Sequence, residues 1–345
     1  MDERAACPVP APKQEGIKIG DIVLRYGTIA MVILLLIVFW LIQPRFLSFA
    51  NVINILRAGA IQIVLATGLS ILLASGGFDL SVGATASTAS VVCAAMMVWF
   101  DSPMWLAIVC AILVGVLIGL LNGFLTIRLG IADFLATLGV AFLIDGIHLT
   151  IGQGNAIHNF MTNPWTKQRA PGEIGAAFRW LATGDVGPIP VLVIIAAVIA
   201  IAAHILLNNT RWGRYFYIIG GNRDAAYLSG VDVSRTKLFA HILCSGIAAI
   251  GGVLLTARIG SGQIYAGSPY QLMGLLSVYV GYTVLAAGKA FIPGTVVGAL
   301  FATIMLNGLT MSGVHPYSVD IFRGAALIFA VAVQSYQSMR AKTAR

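Results

Sequence analysis

The sequence predicts an all-α polytopic membrane protein of about ten transmembrane helices, with both termini cytoplasmic. Three observations predict it. AVILMFWYC residues make up 59% of the 345-residue chain, and 38 glycines come on top of them, whereas soluble domains hold about 45–50% apolar residues with glycine included. Charged residues are only 10%, against about 25% in soluble domains. The apolar residues form long unbroken runs instead of the alternation of a membrane barrel. Too few polar residues exist to coat a soluble enzyme, and disorder would need low hydrophobicity and high charge.

A helix crosses the ~30 Å hydrocarbon core in about 20 residues. Residues 26–44, 58–78, 80–100 and 102–127 supply such runs without an acidic or basic residue. A fifth helix, at about 133–152, is interrupted by Asp145 and His148. Residues 186–203 and 238–257 follow, the latter carrying only His241. The charge-free run 259–287 is too long for one crossing. It divides into a loop, GSGQIYAGSP, and a helix from about Tyr270. Residues 293–311 and about 321–338 complete ten spans.

Ten spans put both ends on one side. With the termini inside, 14 of the 21 Lys and Arg fall in inner segments and 7 in outer ones, the bias expected of cytoplasmic loops. The domain reading is a cytoplasmic tail (1–25), a transmembrane domain (26–338) and a second tail (339–345). Within the domain, residues 153–188 form a Gly- and Pro-rich outer loop. Residues 208–237 form the only long inner loop, with five of the 14 inner charges. The net charge of +8 belongs to these loops and is not a nucleic-acid footprint. No secretory signal peptide is read, because the first apolar run starts after 25 polar-to-mixed residues with no small-residue cleavage site behind it. Cys7, Cys93, Cys110 and Cys244 lack CxxC or His/Cys ligand spacing, so neither metal nor cofactor is expected.

A weak internal repeat relates the fourth and ninth spans. Gly115, Gly119 and Gly123 recur at fourfold spacing, as do Gly294 and Gly298, and each run ends near an Asn-Gly pair, Asn122-Gly123 and Asn307-Gly308. Five spans apart, the two would run in opposite directions, suggesting an inverted repeat of five plus five. Independent small-residue packing faces explain the glycines equally well.

The candidate motifs point to transport and away from catalysis. Gly281 to Ala290 only approaches a phosphate loop, with six residues between the glycines where four are needed and Ala in place of the final Ser/Thr. An ATP-driven device would therefore need its ATPase on another chain. SGGFDLSVG, residues 75–83, joins two apolar runs. Asp79 suits an N-cap for the third helix. The segment also suits a broken helix lining a water-filled route, where irregular backbone is tolerated at membrane depth. In the inner loop, residues 222–228 read as a short helix, with Asn222 as its cap and Gly230 as its stop. It is either a docking element or a solvated connector. Asp145, His148, His204 and His241 lie in or near spans. The histidines read as hydrogen-bonded core residues, and Asp145 as a partner for Arg or His on a neighbouring helix. Asn208-Asn209-Thr210 matches a glycosylation acceptor but falls on the inner side.

GGFDLSVG, the Asn-Gly ending the fourth span, FLATLG at 134–139, the run from Thr210 through Gly230, ARIG at 257–260 and the glycine face of the ninth span occur in one order. Together they resemble the membrane subunit of bacterial monosaccharide importers, the ribose/xylose/arabinose permease family of ATP-binding-cassette (ABC) transporters, over residues 26–337. Residues 224–230 look like the EAAxxxG coupling segment of importer permeases, with Asp for Glu. The resemblance implies a pair of permease chains, identical or not, on two ABC ATPase subunits, fed by a periplasmic sugar-binding protein and embedded in the lipid of the bacterial inner membrane. It implies that Gly221, Asn222, Asp224, Ala225, Ala226 and Gly230 couple to the ATPase. Asp79, Ser81 and Thr137 are the candidates for the sugar's pathway. Asp133 stands where the family usually has Pro, Asp145 where many members have Arg, and residues 271–288 lack an acidic residue and a Gly-Gly. Importers of branched-chain amino acids, nucleosides or a furanose signal are the near alternative. A secondary transporter needing no ATPase is the distant one, disfavoured because only Asp145 and Asp79 could serve an intramembrane acid relay.

Overall fold

The computed structural model describes residues 19–284 and 289–343. Residues 1–18 of the expected first tail, 285–288 of the phosphate-loop-like run and 344–345 of the second tail lie outside the described residues. Among the described residues, thirteen α-helices follow in chain order: α1 Ile19–Ile42, α2 Phe49–Ala74, α3 Val82–Val98, α4 Met104–Ile127, α5 Asp133–Gly152, α6 Ala176–Thr183, α7 Val191–Asn209, α8 Arg211–Gly221, α9 Arg223–Leu228, α10 Val233–Ile259, α11 Ser268–Thr283, α12 Ile292–Met311 and α13 Val319–Thr343. Among the described residues, α2, α4, α5, α7, α10 and α12 are long and apolar enough to cross a membrane. The other four long helices, α1, α3, α11 and α13, occupy the remaining apolar stretches in order.

Local chemistry sets several boundaries. Pro269 and Pro293 sit in the first turns of α11 and α12, where a missing N–H costs nothing. Asp232 caps α10 by accepting from the Arg235 N–H at 2.9 Å, and Gly260, at φ 76°, ends the same helix in the left-handed turn that favours glycine. α2 ends at Ala74 and gives way to a non-helical stretch through Ser81.

α3 is the central helix. Its sequence VGATASTASVVCAAMMV is buried on every face apart from two half-buried positions. Small residues let neighbouring backbones come close. A Cβ on Gly252 of α10 would overlap the Ala86 carbonyl and Ala89, and one on Gly262 would lie 2.6 Å from Ala94. Ser87 and Thr88 return their hydroxyls to the Gly83 and Ala84 carbonyls at 3.0 and 2.9 Å, which satisfies their donors within the helix. The main core gathers α2, α3, α4, α7 and α10. A second apolar cluster joins α1, α11 and α12.

Helix neighbours are partly symmetric. α3 packs on α4 and α10, and α11 packs correspondingly on α12 and α2; α5 lies on α3 as α13 lies on α11. The glycine runs break this symmetry. Those of α4 pack on α10: a Cβ at Gly115 would come 2.7 Å from the Ser245 carbonyl, and one at Gly119 2.7 Å from the His241 carbonyl. At Gly123 it would strike Leu238. Those of α12 pack on α11, with Gly294 against Gly281 and Gly298 against the Ser277 backbone. The two glycine runs thus face non-equivalent partners, although all five glycines are close-packed.

The two segments expected to join spans carry regular structure of their own. The stretch 153–188 is folded. Ile157–His158 pairs with Ser261–Gly262, α6 lies against α10, and Asp185–Val186 forms a hairpin with Ile189–Pro190. The stretch 208–237 is mostly helical, because α7 continues to Asn209, α8 and α9 follow, and α10 already begins at Val233. α8 was legible from Thr210, whose hydroxyl accepts from the Gly213 N–H at 3.4 Å, and from apolar residues at Trp212, Tyr215, Phe216 and Ile219, one helical face.

Candidate functional site: a helix break and a two-helix hairpin

Residues 75–81 interrupt the helical ladder, and side chains from four helices, α4, α5, α10 and α11, bond to the break. Asp79 is fully buried, and its Oδ1 accepts from both the Ser81 N–H and the Ser81 hydroxyl at 2.6 Å. This closes a local turn one residue ahead of α3. Asp79 is therefore not the cap of α3: the helix starts at Val82, and Ser81 occupies the cap position. Asn122 of α4 donates to Ser81 Oγ at 2.9 Å and to Asp79 Oδ2 at 3.5 Å. Cys244 of α10 offers its thiol to the same carboxylate oxygen at 3.9 Å.

The remaining backbone groups are met by α5 and α11. Thr137 accepts from the Leu80 N–H at 3.0 Å and donates to the Asp133 carbonyl at 2.8 Å. Asp133 Oδ2 accepts from the Phe78 N–H at 3.2 Å and lies 3.7 Å from Lys237 Nζ. Gln271 bridges both sides of the break. Its Nε2 donates to the Asp79 carbonyl at 3.1 Å, and its Oε1 accepts from the Gly83 N–H at 2.7 Å. Asp79, Ser81, Asn122 and Thr137 all have 0% exposure, so the centre of the joint is sealed, while Asp133 and Gln271 at its edge are half-buried. Asn122 Oδ1 and His241 Nδ1 remain without a partner within it. Gln271 and Asn122 were not read as site residues, because their roles depend on contacts more than forty residues away in sequence.

The hairpin of α8 and α9 lies below this joint. Asn222 Oδ1 accepts from the Asp224 and Ala225 N–H groups, both at 3.0 Å, so it is the cap of α9. Gly230 has φ 78°, the left-handed turn open to glycine. Ala226 is fully buried, but against this chain's own Ile219, Val231 and Val233. The two alanines named as coupling residues are therefore split: Ala225 is exposed and Ala226 is not. The outward surface of α9 is instead Tyr227 and Leu228, 73% and 84% exposed. Arg223, Asp224, Tyr227 and the 231–234 segment border a hollow of about 470 Å³.

Besides the contact of Trp212 and Phe216 with Phe239 of α10, the hairpin touches two of the bundle's interhelical connections. Gly220 of α8 lies against the break, where a Cβ would overlap the Ala74 carbonyl and lie 3.1 Å from the Gly76 N. Tyr217 donates its hydroxyl to the Ala290 carbonyl at 2.8 Å, and Lys289 Nζ lies 4.7 Å from the centre of its ring. Gly221, the glycine singled out from the sequence, has nothing within 4 Å of a Cβ.

The other singled-out polar residues resolve differently. Asp145 meets His148 of its own helix, at 3.7 Å, and not a residue of a neighbouring helix. His148 also meets Thr88 at 3.2 Å, His241 meets Thr126 at 3.4 Å, and exposed His204 meets Asn208 at 3.0 Å. Among the described residues, no group of three or more His, Cys, Asp or Glu could hold a metal ion.

Residues 51–331 match the family described as branched-chain amino acid transport system / permease component. The ribose import permease protein RbsC of Escherichia coli (strain K12) is 32% identical over 307 residues, 89% of this chain and 92% of that protein. RbsC of Bacillus subtilis (strain 168) is 32% identical over 326 residues, 94% of this chain and 97% of that protein. The galactose/methyl galactoside import permease protein MglC of E. coli (strain K12) is 31% identical over 331 residues, 92% of this chain and 96% of that protein. No solved structure matches the chain. A family match from α2 into α13, with relatives similar over nearly their whole lengths, means that this chain belongs to the family of branched-chain amino acid transport system permease components, alongside the ribose and galactose import permeases.

Proposed function

We propose that the chain is the membrane permease subunit of an ABC importer in the bacterial inner membrane, carrying a monosaccharide delivered by a periplasmic binding protein. ATP hydrolysis belongs to a partner ATPase, and a second permease chain completes the pathway. The observation that carries this reading is the match to ribose and galactose import permeases over about nine-tenths of the chain.

The geometry supports the finer assignments. Ten long helices in the order of the ten apolar stretches, with the Lys/Arg bias, favour ten spans and cytoplasmic termini. The paired neighbours of α2–α5 and α10–α13 favour the five-plus-five inverted repeat over its glycine signature. The exposed Tyr227 and Leu228, on a six-residue helix too short to be stable alone, suit a docking knob for the ATPase. Asn222, Asp224, Ala225 and Gly230 shape that knob, and Gly221 and Ala226 lie behind it. Asp79, Ser81 and Thr137 hold the joint beside the pathway.

The test is reconstitution in proteoliposomes with the cognate ATPase and binding protein. Uptake of labelled D-ribose, D-galactose and L-leucine is measured with and without ATP. ATP-dependent sugar uptake is expected. Leucine uptake alone would transfer the assignment to amino acids, and uptake driven by an ion gradient without the ATPase would end the importer reading.

A further inference from the structure

Away from both the joint and the hairpin, α2, α11, α12 and the start of α13 enclose a hollow of about 350 Å³. It lies at the end of the bundle that carries the 153–188 segment. Arg57, one residue before the hollow's wall on α2, pairs with Asp185 of that segment at 2.7 Å. Its polar lining is Gln62, Tyr270, Thr303, Asn307, Thr310 and Arg323. Two amides, three hydroxyls and a guanidinium around one hollow are costly at membrane depth unless they pair or face water.

Internal pairing accounts for some of them. Gln62 donates to Ser277 at 3.0 Å. Asn307 and Asn51 exchange amide bonds at 2.9 and 3.1 Å. Thr303 and Thr310 donate to the Ala299 and Leu306 carbonyls, both at 2.8 Å. These bonds consume donors and leave oxygens able to accept. Arg323 is the exception. Its Nη1 donates to Asp320 at 2.7 Å, while its buried Nε has no partner. The hollow therefore offers acceptors from three helices, with unspent donors on the Arg323 guanidinium and the Tyr270 hydroxyl.

The charge balance selects the ligand. Among the described lining residues Arg323 is the only charged one, and its guanidinium is already paired with Asp320, so a phosphate or carboxylate would have to compete with that carboxylate. A neutral polyhydroxylated molecule both donates and accepts, as this lining requires, and the Tyr270 ring offers a flat apolar face. The volume is near the lower end of the ~300–1,000 Å³ of small-molecule sites, suited to one sugar ring.

We propose that this hollow is a binding site for a neutral monosaccharide on its way through the permease, with Gln62, Asn307 and Arg323 meeting its hydroxyls. The assignment rests on the importer reading above and adds the residues that meet the cargo. The experiment uses the reconstituted complex carrying Thr303→Cys, with Cys110 replaced by Ala. A membrane-impermeant charged thiol reagent is added from outside, with and without 10 mM of the sugar that the wild-type complex imports, and with L-leucine as control. The sugar is expected to slow modification several-fold, and leucine to leave it unchanged. Arg323→Gln, with assembly verified by co-purification of the ATPase, is expected to raise the apparent KM for uptake about tenfold, and Arg323→Lys to recover part of it. Absence of modification, modification indifferent to sugar, or an unchanged KM in Arg323→Gln would each overturn the site. A wild-type complex that imports no sugar would instead refute the importer reading, so the two failures are distinguishable.

Discussion

Gly220→Ala adds one methyl group where the α8–α9 hairpin rests on the helix break. The new Cβ would overlap the Ala74 carbonyl and stand 3.1 Å from the Gly76 N. All of these are backbone atoms, which cannot move aside as a flexible side chain would. Overpacking of this kind costs about 1–3 kcal/mol, and the better helix propensity of Ala returns up to ~1 kcal/mol. The net is about 1–2 kcal/mol, a factor of roughly 5–30 in a two-state population. Because the contact joins the hairpin to the break, the cost falls on the state in which the two are pressed together. The assay is sugar uptake per ATP hydrolysed, in proteoliposomes holding permease, ATPase and binding protein. Gly220→Ala is expected to lower that ratio 5- to 30-fold. Gly221→Ala, one residue on with nothing within 4 Å, is expected to stay within twofold. Equal ratios for the two variants would refute the reasoning, as would a loss of thermal stability in Gly220→Ala with coupling intact.

Leu at Gly119 or Gly298 would press a side chain into the backbone of α10 or α11 and is expected to abolish folded permease in detergent by size-exclusion fluorescence, whereas Gly139→Leu, with open space around its Cβ, is expected to fold; normal yields for all three would mean the glycine contacts are wrong. Ala226→Glu is expected to destabilise the permease itself by several kcal/mol, since it buries an unpaired charge, whereas Leu228→Glu leaves a folded chain that no longer co-purifies with the ATPase; normal co-purification of the second would remove the docking assignment. Single cysteines at Thr183 and Ser234 are expected to react with an impermeant thiol reagent from opposite sides of the membrane. Reaction from one side would end the ten-span arrangement.

The positions of the long helices were readable because each needs a sustained apolar run, and such runs in α2, α4 and α12 survive without tertiary help. Their ends were less readable. α7 and α10 each extend about five residues past their charge-free cores, because Asn208, Asn209, Arg235 and Lys237 are tolerated near the bilayer surface by helices whose caps lie further out. Asn222 and Gly230 were legible as cap and stop, since both act on residues within three positions. Gly220 was not distinguishable from Gly221 by any local rule. Only the Ala74 backbone, brought up from almost 150 residues away in sequence, separates a close-packed glycine from a free one. Ala226 shows the same limit: a small residue on a short helix can face a partner or its own chain, and Ile219, Val231 and Val233 decide it.

The joint and the hairpin together constrain how a push from the ATPase would travel. α8 and α9 share one apolar cluster and the Asn222 cap, so a force on Tyr227 or Leu228 moves them as one body. That body touches the α2–α3 break through Gly220 and the α11–α12 connection through Tyr217. The break is in turn tied to α4 by Asn122, to α5 by Asp133 and Thr137, to α10 by Cys244 and to α11 by Gln271. A loop held at so many points cannot shift alone without leaving buried N–H groups unpaired, at roughly 1–3 kcal/mol each. The cheaper response carries α2, α3, α4, α5, α10 and α11 along with the loop, as in rigid-body rearrangements of packed helices. The buried Asp79 network then serves to keep the broken helix in step with its neighbours.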